Sequence, residues 1–127
     1  MSKEKILVID DEPEICLNLK AMFEYEDYEA DYATTAREAF QKIAQGSYGL
    51  VLVDIKLEGA VSGIEIIKSF KDKEKRPKIM VITAIPSEAL KPTFESEGVV
   101  DLIDGFIDKP GCANPEKLIG LVRRVLR

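Results

Sequence analysis

Short apolar runs alternate along the chain with segments in which apolar residues recur every three or four positions. The runs are rich in β-branched residues, which is typical of strands buried on both faces. The periodic segments are typical of helices with one apolar side. The pattern predicts five strands, each followed by a helix, at residues 5–10, 28–33, 49–54, 78–83 and 105–107.

Local signals mark where the helices begin and where the pattern weakens. Pro13 suits the first turn of the first helix, because the N–H that proline lacks has no partner there. Residues 35–38 and 62–65 each form a capping-box pattern, and Asn114 is the predicted cap of the last helix. Two prolines interrupt residues 84–104, where the apolar stripe is weak, so we expect a short or irregular fourth helix.

Strands that alternate with helices predict an α/β fold in which a parallel sheet is covered on both faces. Right-handed crossovers leave few topologies, and we expect a doubly wound sheet of five parallel strands with five helices. A length of 127 residues suits one domain, and the sequence has no internal repeat, low-complexity segment or linker. Residues 1–127 are therefore predicted to form a single domain.

The amino-acid composition excludes several kinds of partner and chemistry. With 46% hydrophobic and 32% charged residues and no long apolar run, the pattern predicts neither a transmembrane helix nor a signal peptide. We expect a soluble, cytoplasmic protein with no membrane partner. A net charge of −5 counts against direct binding of nucleic acid, which needs clustered Lys and Arg. The absence of histidine excludes a histidine-ligated metal, a histidine base and a phosphohistidine on this chain.

Three carboxylates follow two of the predicted strands. Asp10 and Asp11 come after the first strand, and Asp54 ends the third. Because the carboxyl ends of parallel strands meet at one edge of the sheet, these side chains should converge. Convergent carboxylates repel one another and raise each other's pKa unless a cation neutralises them. The arrangement therefore predicts a hard divalent cation with oxygen ligands, Mg²⁺ first.

A hydroxyl and an ammonium join the carboxylates at the same edge. Thr83 ends the fourth strand, and Lys109 follows the fifth. An Asp near bound Mg²⁺ can attack a phosphoryl group, while metal, ammonium and hydroxyl share the charge on its oxygens. Taken alone, each residue has an ordinary explanation as a helix cap, a strand end or a surface charge, and Phe106 alone is a core residue. Their coincidence at one edge favours a shared site.

The predicted site residues follow one another along the chain in a characteristic order. They are Asp10 with Asp11, Asp54, Thr83, and Lys109 followed by Pro110. In this order, and over essentially its whole length, the chain resembles the receiver domain of bacterial and archaeal response regulators. The resemblance implies a flavodoxin-like fold of the receiver type.

The resemblance implies a role for each of these residues. Asp54 would accept a phosphoryl group from a phosphohistidine on a partner protein. Asp10 and Asp11 would hold Mg²⁺ directly or through water, together with Asp54 and the backbone carbonyl of Lys56. Lys109 would pair with the acyl phosphate. A cis peptide bond would follow Lys109, as a tight turn beside a functional site allows.

The resemblance also implies a switch. Thr83 would move its hydroxyl onto a phosphoryl oxygen, and Phe106 would swing inward to fill the space that this movement vacates. The fourth helix, the fifth strand and the last helix would form the readout surface. Phosphorylation can drive such a change, because it adds up to two negative charges and three strong acceptor oxygens.

Residues beside the acceptor tune the lifetime of the phosphoryl group in this family. Here they are Lys56 and Ile85, and a large apolar Ile85 predicts slow self-dephosphorylation because it obstructs the attacking water. The loop after the acceptor departs from the family, with Glu58 in place of a common proline and Gly63 one residue later than usual. The departure bears on contacts with a kinase or with the metal.

The resemblance also implies the partners. A sensor histidine kinase or a histidine phosphotransfer protein would supply the phosphoryl group, and a downstream protein or an attached output domain would receive the signal. The chain would act as a signalling switch and not as an enzyme. Whether it is complete or part of a longer regulator, and whether phosphorylation drives homodimer formation, stay open at this point.

Three other functions compete with this interpretation. A phosphatase of the haloacid dehalogenase type also uses Asp, Thr or Ser, and Lys with Mg²⁺, but its Asp-x-Asp signature is absent after the first strand. A degenerate receiver would bind partners without accepting phosphate. A dinucleotide-binding domain is disfavoured, because acidic residues stand where a glycine-rich turn would hold a pyrophosphate.

Overall fold

The computed structural model describes residues 4–55, 63–71, 73, 76–84, 87–112 and 114–127. Five strands lie in these ranges: β1 Lys5–Ile9, β2 Glu29–Ala33, β3 Leu50–Asp54, β4 Lys78–Thr83 and β5 Gly105–Asp108. Five helices accompany them: α1 Pro13–Tyr25, α2 Ala36–Gln45, α3 Gly63–Lys68, α4 Ser87–Glu97 and α5 Pro115–Leu126. Two short turns are also present, a 3₁₀ turn at Val100–Leu102 and a four-residue helical turn at Lys109–Cys112.

All five strands run parallel in one sheet, in the order β2-β1-β3-β4-β5. The register of β1 places Ile9 beside Ala33 of β2 and beside Val53 of β3. β2 lies on one side of β1, and β3, β4 and β5 follow one another on its other side. The predicted doubly wound α/β fold is therefore confirmed, and β1 and β3 flank the point where the strand order reverses.

Two apolar layers cover the sheet. Alternate residues of a strand point to opposite faces, so Leu7 and Val51 join one layer while Ile6 and Leu50 join the other. Helices α2, α3 and α4 pack on the first layer, and α1 and α5 pack on the second. Among the described residues, no helix is both long and apolar enough to cross a membrane.

The helix caps agree with the sequence signals, with one difference. Asn114 caps α5 by accepting a hydrogen bond from the N–H of Lys117 at 3.2 Å. Thr35 caps α2 by accepting one from the N–H of Glu38 at 3.1 Å. The Glu38 carboxylate, however, accepts from the N–H and hydroxyl of Thr34 and so reaches one residue beyond the capping-box partner. The predicted cap at Ser62 lies outside the described residues.

The expectation of a short or irregular fourth helix is wrong. Helix α4 spans eleven residues without a break, although Pro92 lies inside it. Its apolar residues Leu90 and Phe94 are buried and pack into the same core layer as Val99, just beyond its end. This packing outweighs the lost backbone hydrogen bond and the acidic residues that weaken the apolar stripe.

The chain after β5 also differs from expectation. Lys109 begins a helical turn that ends at Cys112, before the cap of the last helix at Asn114. No cis peptide bond is present among the described residues, so the cis bond expected after Lys109 is not found. A trans bond is compatible with this turn, since a proline in the first turn of a helix sacrifices no hydrogen bond.

Replacing the proline inside α4 tests how strongly packing fixes this helix. Pro92→Ala restores the N–H that the carbonyl of Glu88 lacks, and alanine is the better helix former by roughly 3 kcal/mol. Part of this gain is offset by greater freedom of the unfolded chain. We expect the free energy of unfolding in urea to rise by about 1 to 2 kcal/mol. Lys91→Ala, at the preceding exposed position, should change it by less than about 0.5 kcal/mol, because lysine and alanine have similar helix propensities. A destabilised Pro92→Ala would contradict the position of Pro92 inside α4.

Candidate functional site

Two buried carboxylates lie side by side at the carboxyl edge of the sheet. Asp54 is the last residue of β3, and Asp10 follows the last residue of β1. Because Ile9 pairs with Val53, the next residue of each strand is a neighbour of the other. Solvent reaches 0% of Asp10 and 2% of Asp54. Carboxylates are rarely buried in this way unless partners compensate their charge.

A third carboxylate completes an acidic cluster. Asp10, Asp11 and Asp54 each offer one oxygen that lies within 4.8 Å of the others. Asp11 is half-buried and lies in the segment that leads from β1 to α1. The structure therefore brings together the three carboxylates that the sequence singles out.

Asp10 is held in place by both its backbone and its side chain. Its N–H donates to the carbonyl of Ala33 at 3.1 Å, and its carbonyl accepts from the buried Cys16 thiol at 3.2 Å. Its Oδ1 accepts from the N–H of Glu12 at 2.9 Å. Its Oδ2 is buried, and the ammonium of Lys109 lies 3.5 Å from it. One oxygen of Asp10 is therefore fixed by the backbone, and the other is available to a cation.

Burial raises the pKa of Asp10 from 3.8 to about 6. Loss of hydration is the largest cause, and repulsion from Asp54 adds to it. The N–H of Glu12 and the ammonium of Lys109 act in the opposite direction. The expected repulsion between carboxylates thus contributes to this pKa, but burial contributes more. Asp10 is ionised at neutral pH at a cost in folding free energy.

The cluster fits a hard divalent cation such as Mg²⁺. Every side-chain ligand it offers is a carboxylate oxygen, the type that Mg²⁺ prefers. A divalent cation would satisfy Oδ2 of Asp10 and reduce the repulsion between the three carboxylates. Lys56, which the resemblance adds as a carbonyl ligand, lies outside the described residues, as do Glu58 and Ile85.

Lys109 provides the positive charge of the site. Its Nζ lies 3.0 Å from Oδ2 of Asp54 and 3.5 Å from Oδ2 of Asp10. The same Nζ lies 3.0 Å from Oε2 of Glu12. Burial by itself would lower the pKa of Lys109, but the three carboxylates outweigh burial and raise that pKa above its usual value. The ammonium therefore stays charged at neutral pH and partly compensates the buried carboxylates.

Glu12 is a member of the site that the sequence pattern does not predict. It directly precedes α1, and its carboxylate meets Lys109 although 97 positions separate them in the chain. One signal was present, since Glu12 directly follows Asp10 and Asp11. The contact itself depends on the helical turn after β5, which places Lys109 next to Glu12 at the carboxyl edge of the sheet.

Thr83 and Phe106 lie on the same face of two neighbouring strands. Thr83 is buried at the end of β4, and Phe106 of β5 pairs with Val81, two residues before Thr83. Phe106 is 38% exposed, and its ring lies 5.7 Å from that of Phe94 of α4, centroid to centroid. The core position expected for Phe106 by default is thus wrong, because the side of β5 that faces α4 is incompletely covered, whereas Ile107 on the opposite side of the strand is buried.

A close approach of the backbone fixes the end of the loop that follows Asp54. Gly63 donates its N–H to the carbonyl of Ile55 at 3.3 Å. A Cβ at this position would lie 2.8 Å from Cγ1 of Val53 and 2.9 Å from Cα of Ile55. Glycine is therefore required where the chain returns to the end of β3 and begins α3.

The family of the chain follows from a comparison with known proteins. The model of the response regulator receiver domain matches residues 6–123. The chain belongs to this family, the receiver domains of two-component response regulators.

Curated relatives and solved structures agree with this assignment. VanR of Enterococcus faecium, a regulatory protein, is 35% identical over 98% of this chain and 50% of its own length. ResD of Bacillus subtilis, a transcriptional regulatory protein, is 33% identical over 99% of this chain and 49% of its own length. The chain therefore spans about half the length of the curated relatives it matches.

Solved receiver structures share the fold. A CheY-like receiver domain protein from Methanospirillum hungatei superposes with a TM-score of 0.82 at 30% identity, covering 98% of this chain and 94% of the other. The response regulator TrrA of Thermotoga maritima, in complex with Mg²⁺ and BeF, superposes with a TM-score of 0.79 at 33% identity. That match covers 97% of this chain and 99% of TrrA.

Replacing the buried acid Asp10 tests the cost of its ionisation. Because its pKa in the folded protein is about 6, above the ordinary 3.8, ionisation removes stability as the pH rises through this range. We expect Asp10→Asn in EDTA to raise the free energy of unfolding at pH 7 by about 1 to 2 kcal/mol, less than the full shift implies, because the amide replaces one accepting oxygen by an NH₂ group that only donates. The gain should shrink as the pH falls from 6 and be absent below about 4.

Two comparisons accompany this measurement. Asp101→Asn, on the exposed 3₁₀ turn, should change the stability by less than about 0.5 kcal/mol at either pH. Saturating Mg²⁺ should raise the melting temperature of the native sequence more than that of Asp10→Asn. An Asp10→Asn variant that is less stable at pH 7, or that responds to Mg²⁺ like the native sequence, would contradict the described site.

Proposed function

We propose that this chain is the phosphoacceptor receiver of a two-component system or phosphorelay, with Asp54 as the acceptor. The observation that carries the proposal is the position of Asp54. Its carboxylate lies within 4.8 Å of those of Asp10 and Asp11 and 3.0 Å from the ammonium of Lys109. Membership of the receiver family supports the same role.

The donor we propose is a phosphohistidine on a sensor histidine kinase or a histidine phosphotransfer protein. A carboxylate oxygen of Asp54 attacks the phosphorus, and the phosphorus–nitrogen bond breaks. The bonding electron pair returns to the imidazole nitrogen, which then takes up a proton. The product is an acyl phosphate, a mixed anhydride that water hydrolyses. This chain has no histidine, so the donor must be another protein or another part of the same regulator.

Each residue of the site has a different proposed role in phosphoryl transfer. Lys109 lies against Asp54, where its positive charge can pair with the oxygens of an arriving phosphoryl group. Asp10, Asp11 and Asp54, with the carbonyl of Lys56, are the proposed holders of Mg²⁺. When bound, this ion would neutralise charge that develops on the phosphoryl oxygens. The Mg²⁺ and BeF complex of TrrA, a receiver of similar fold, supports this ligand chemistry.

The proposed switch runs from Thr83 to Phe106. Thr83 and Val81 lie on one face of β4, and Phe106 lies beside Val81 on the neighbouring strand. In the described state Phe106 lies outward, against Phe94, at a largely apolar cavity of about 320 Å³ between α4 and β5. When the Thr83 hydroxyl moves toward a phosphoryl oxygen, Phe106 can turn into the space behind it. The surface formed by α4, β5 and α5 then changes shape.

The output of the whole regulator is a separate part of the proposal. Two of the relatives that are about twice as long as this chain, ResD of Bacillus subtilis and SrrA of Staphylococcus aureus, are transcriptional regulatory proteins. We infer that the signal passes to a downstream protein or to an attached output domain. This segment is proposed to act as a signalling switch and not as an enzyme with a free substrate. The expectation that residues 1–127 do not themselves bind nucleic acid stays a prediction.

Intact mass after incubation with Mg²⁺ and acetyl phosphate tests the acceptor. We expect the native sequence to gain the mass of one phosphoryl group, because Asp54 is the carboxylate nearest to Lys109 in the cluster. The gain should be absent in Asp54→Asn and in samples with EDTA. Continued release of nitrophenol from p-nitrophenyl phosphate would favour a phosphatase instead. A mass gain that persists in Asp54→Asn would rule out Asp54 as the acceptor.

A single tryptophan can report the proposed movement of Phe106. The chain has no tryptophan, so Phe106→Trp creates one reporter at a position that is 38% exposed. With Mg²⁺ and beryllofluoride, a mimic of the phosphoryl group, we expect its emission to shift to the blue as the ring becomes buried.

Two variants serve as controls for this reporter. Phe40→Trp places the indole at a similarly exposed position on α2 and should show no shift. Adding Thr83→Ala to Phe106→Trp should abolish the shift, since the hydroxyl that moves is gone. A blue shift that survives this second change would contradict the coupling between Thr83 and Phe106.

A further inference from the structure

Lys109 has one ion pair that the proposed phosphoryl transfer does not use. Oε2 of Glu12 accepts a hydrogen bond from Nζ of Lys109 at 3.0 Å, the same distance that separates this Nζ from Oδ2 of Asp54. One ammonium is thus shared between two buried carboxylates, those of Asp54 and Asp10, and the carboxylate of Glu12, whose side chain is 57% exposed. Glu12 holds the same cation that the phosphoryl group on Asp54 would need.

The backbone of Glu12 is fixed, whereas its carboxylate lies toward solvent. Its N–H donates to Oδ1 of Asp10 at 2.9 Å. Its carbonyl accepts from the N–H groups of Ile15 at 3.1 Å and Cys16 at 3.2 Å, in the first turn of α1. Asp10 therefore sets the place from which the Glu12 side chain reaches Lys109, and the side chain itself is the part that can move.

We propose that Glu12 is a positioning residue that holds Lys109 in the unphosphorylated protein and competes with the phosphoryl group for it. This inference rests on the proposed function of Asp54. A phosphoryl group adds up to two negative charges next to Lys109. The carboxylate of Glu12 places a further negative charge beside the same ammonium. It repels the phosphoryl group, and it occupies one of the three N–H donors of Lys109.

The size of the effect follows from the exposure of Glu12. A partly exposed charge acts through a high effective dielectric constant, so its repulsion is modest and sensitive to salt. Glu12→Gln keeps an oxygen that can accept from Lys109 but removes the charge. We expect this variant to bind a phosphoryl mimic about three- to tenfold more tightly at low salt. In about 1 M NaCl, where the screening length is roughly 3 Å, most of this gain should disappear.

The test is a titration with beryllofluoride at saturating Mg²⁺, followed by the ¹⁹F NMR signals of the protein-bound ion. The native sequence is compared with Glu12→Gln and with Glu14→Gln as the matched control. Glu14→Gln removes the same charge from the same opening beside the site, but the ion pairs of Lys109 run to Glu12, Asp54 and Asp10. Tighter, salt-sensitive binding in Glu12→Gln and near-native binding in Glu14→Gln would support the proposal.

Other outcomes overturn it in distinguishable ways. Equal affinities in Glu12→Gln and the native sequence would show that Glu12 does not compete for Lys109. Weaker binding in Glu12→Gln, unchanged by salt, would show a structural role. Equal gains in Glu12→Gln and Glu14→Gln would show a general effect of net charge. No bound signal in the native sequence would instead contradict the proposed function of Asp54, and the inference would fail with it.

A second measurement examines Lys109 without any phosphoryl chemistry. Competitive acetylation with a limiting amount of acetic anhydride, read out by peptide mass spectrometry, reports how strongly each lysine is held. We expect Lys109 to react faster in Glu12→Gln than in the native sequence or in Glu14→Gln. Lys20, which pairs with Glu24 on α1, serves as the internal reference and should be unchanged. An unchanged rate at Lys109 would contradict its retention by Glu12.

Discussion

The ion pairs between the Lys109 ammonium and the buried carboxylates of Asp54 and Asp10 are the interaction on which the rest of the site depends. The three residues come from β1, β3 and the turn after β5, so they meet only when the whole sheet has formed in the order found. Strand β4 lies between β3 and β5 and supplies Thr83 at the same edge. Removing the ammonium would leave two ionised carboxylates buried without the positive charge beside them, which is strongly unfavourable.

The acidic cluster lowers the stability of the folded protein, and packing of the core beneath it offsets this loss. The raised pKa of Asp10 shows that its ionised form is disfavoured in the folded protein. Strand β3 is buried along its whole length, and β1 is buried from Ile6 to Ile9, so the strands that carry the two acids have little freedom to separate. A divalent cation would relieve the repulsion without moving these strands. The rigid sheet thus keeps a charge arrangement that the side chains alone would not maintain.

The two faces of the sheet carry different parts of the proposed function. On one face, α1 begins next to Glu12, which meets Lys109 at the opening of the site. On the other face, Val81 and Phe106 lie beside one another and Phe106 packs on Phe94 of α4. Thr83 lies buried at the edge that both faces share. In the proposed switch, a charge change at that edge would reach the α4 surface through this pair of neighbouring strands.

The sequence by itself determined the fold class, the strands to within one residue at each end, and the three acids that converge. These features are local: apolar runs, helix caps and residues at strand ends follow from chain periodicity. Tertiary structure decided the rest, because each remaining feature depends on contacts between distant segments. Packing of Phe94 in the core makes α4 regular despite Pro92. Incomplete cover on the α4 side of β5 leaves Phe106 half-exposed, and the return of the chain after β5 brings Lys109 to Glu12.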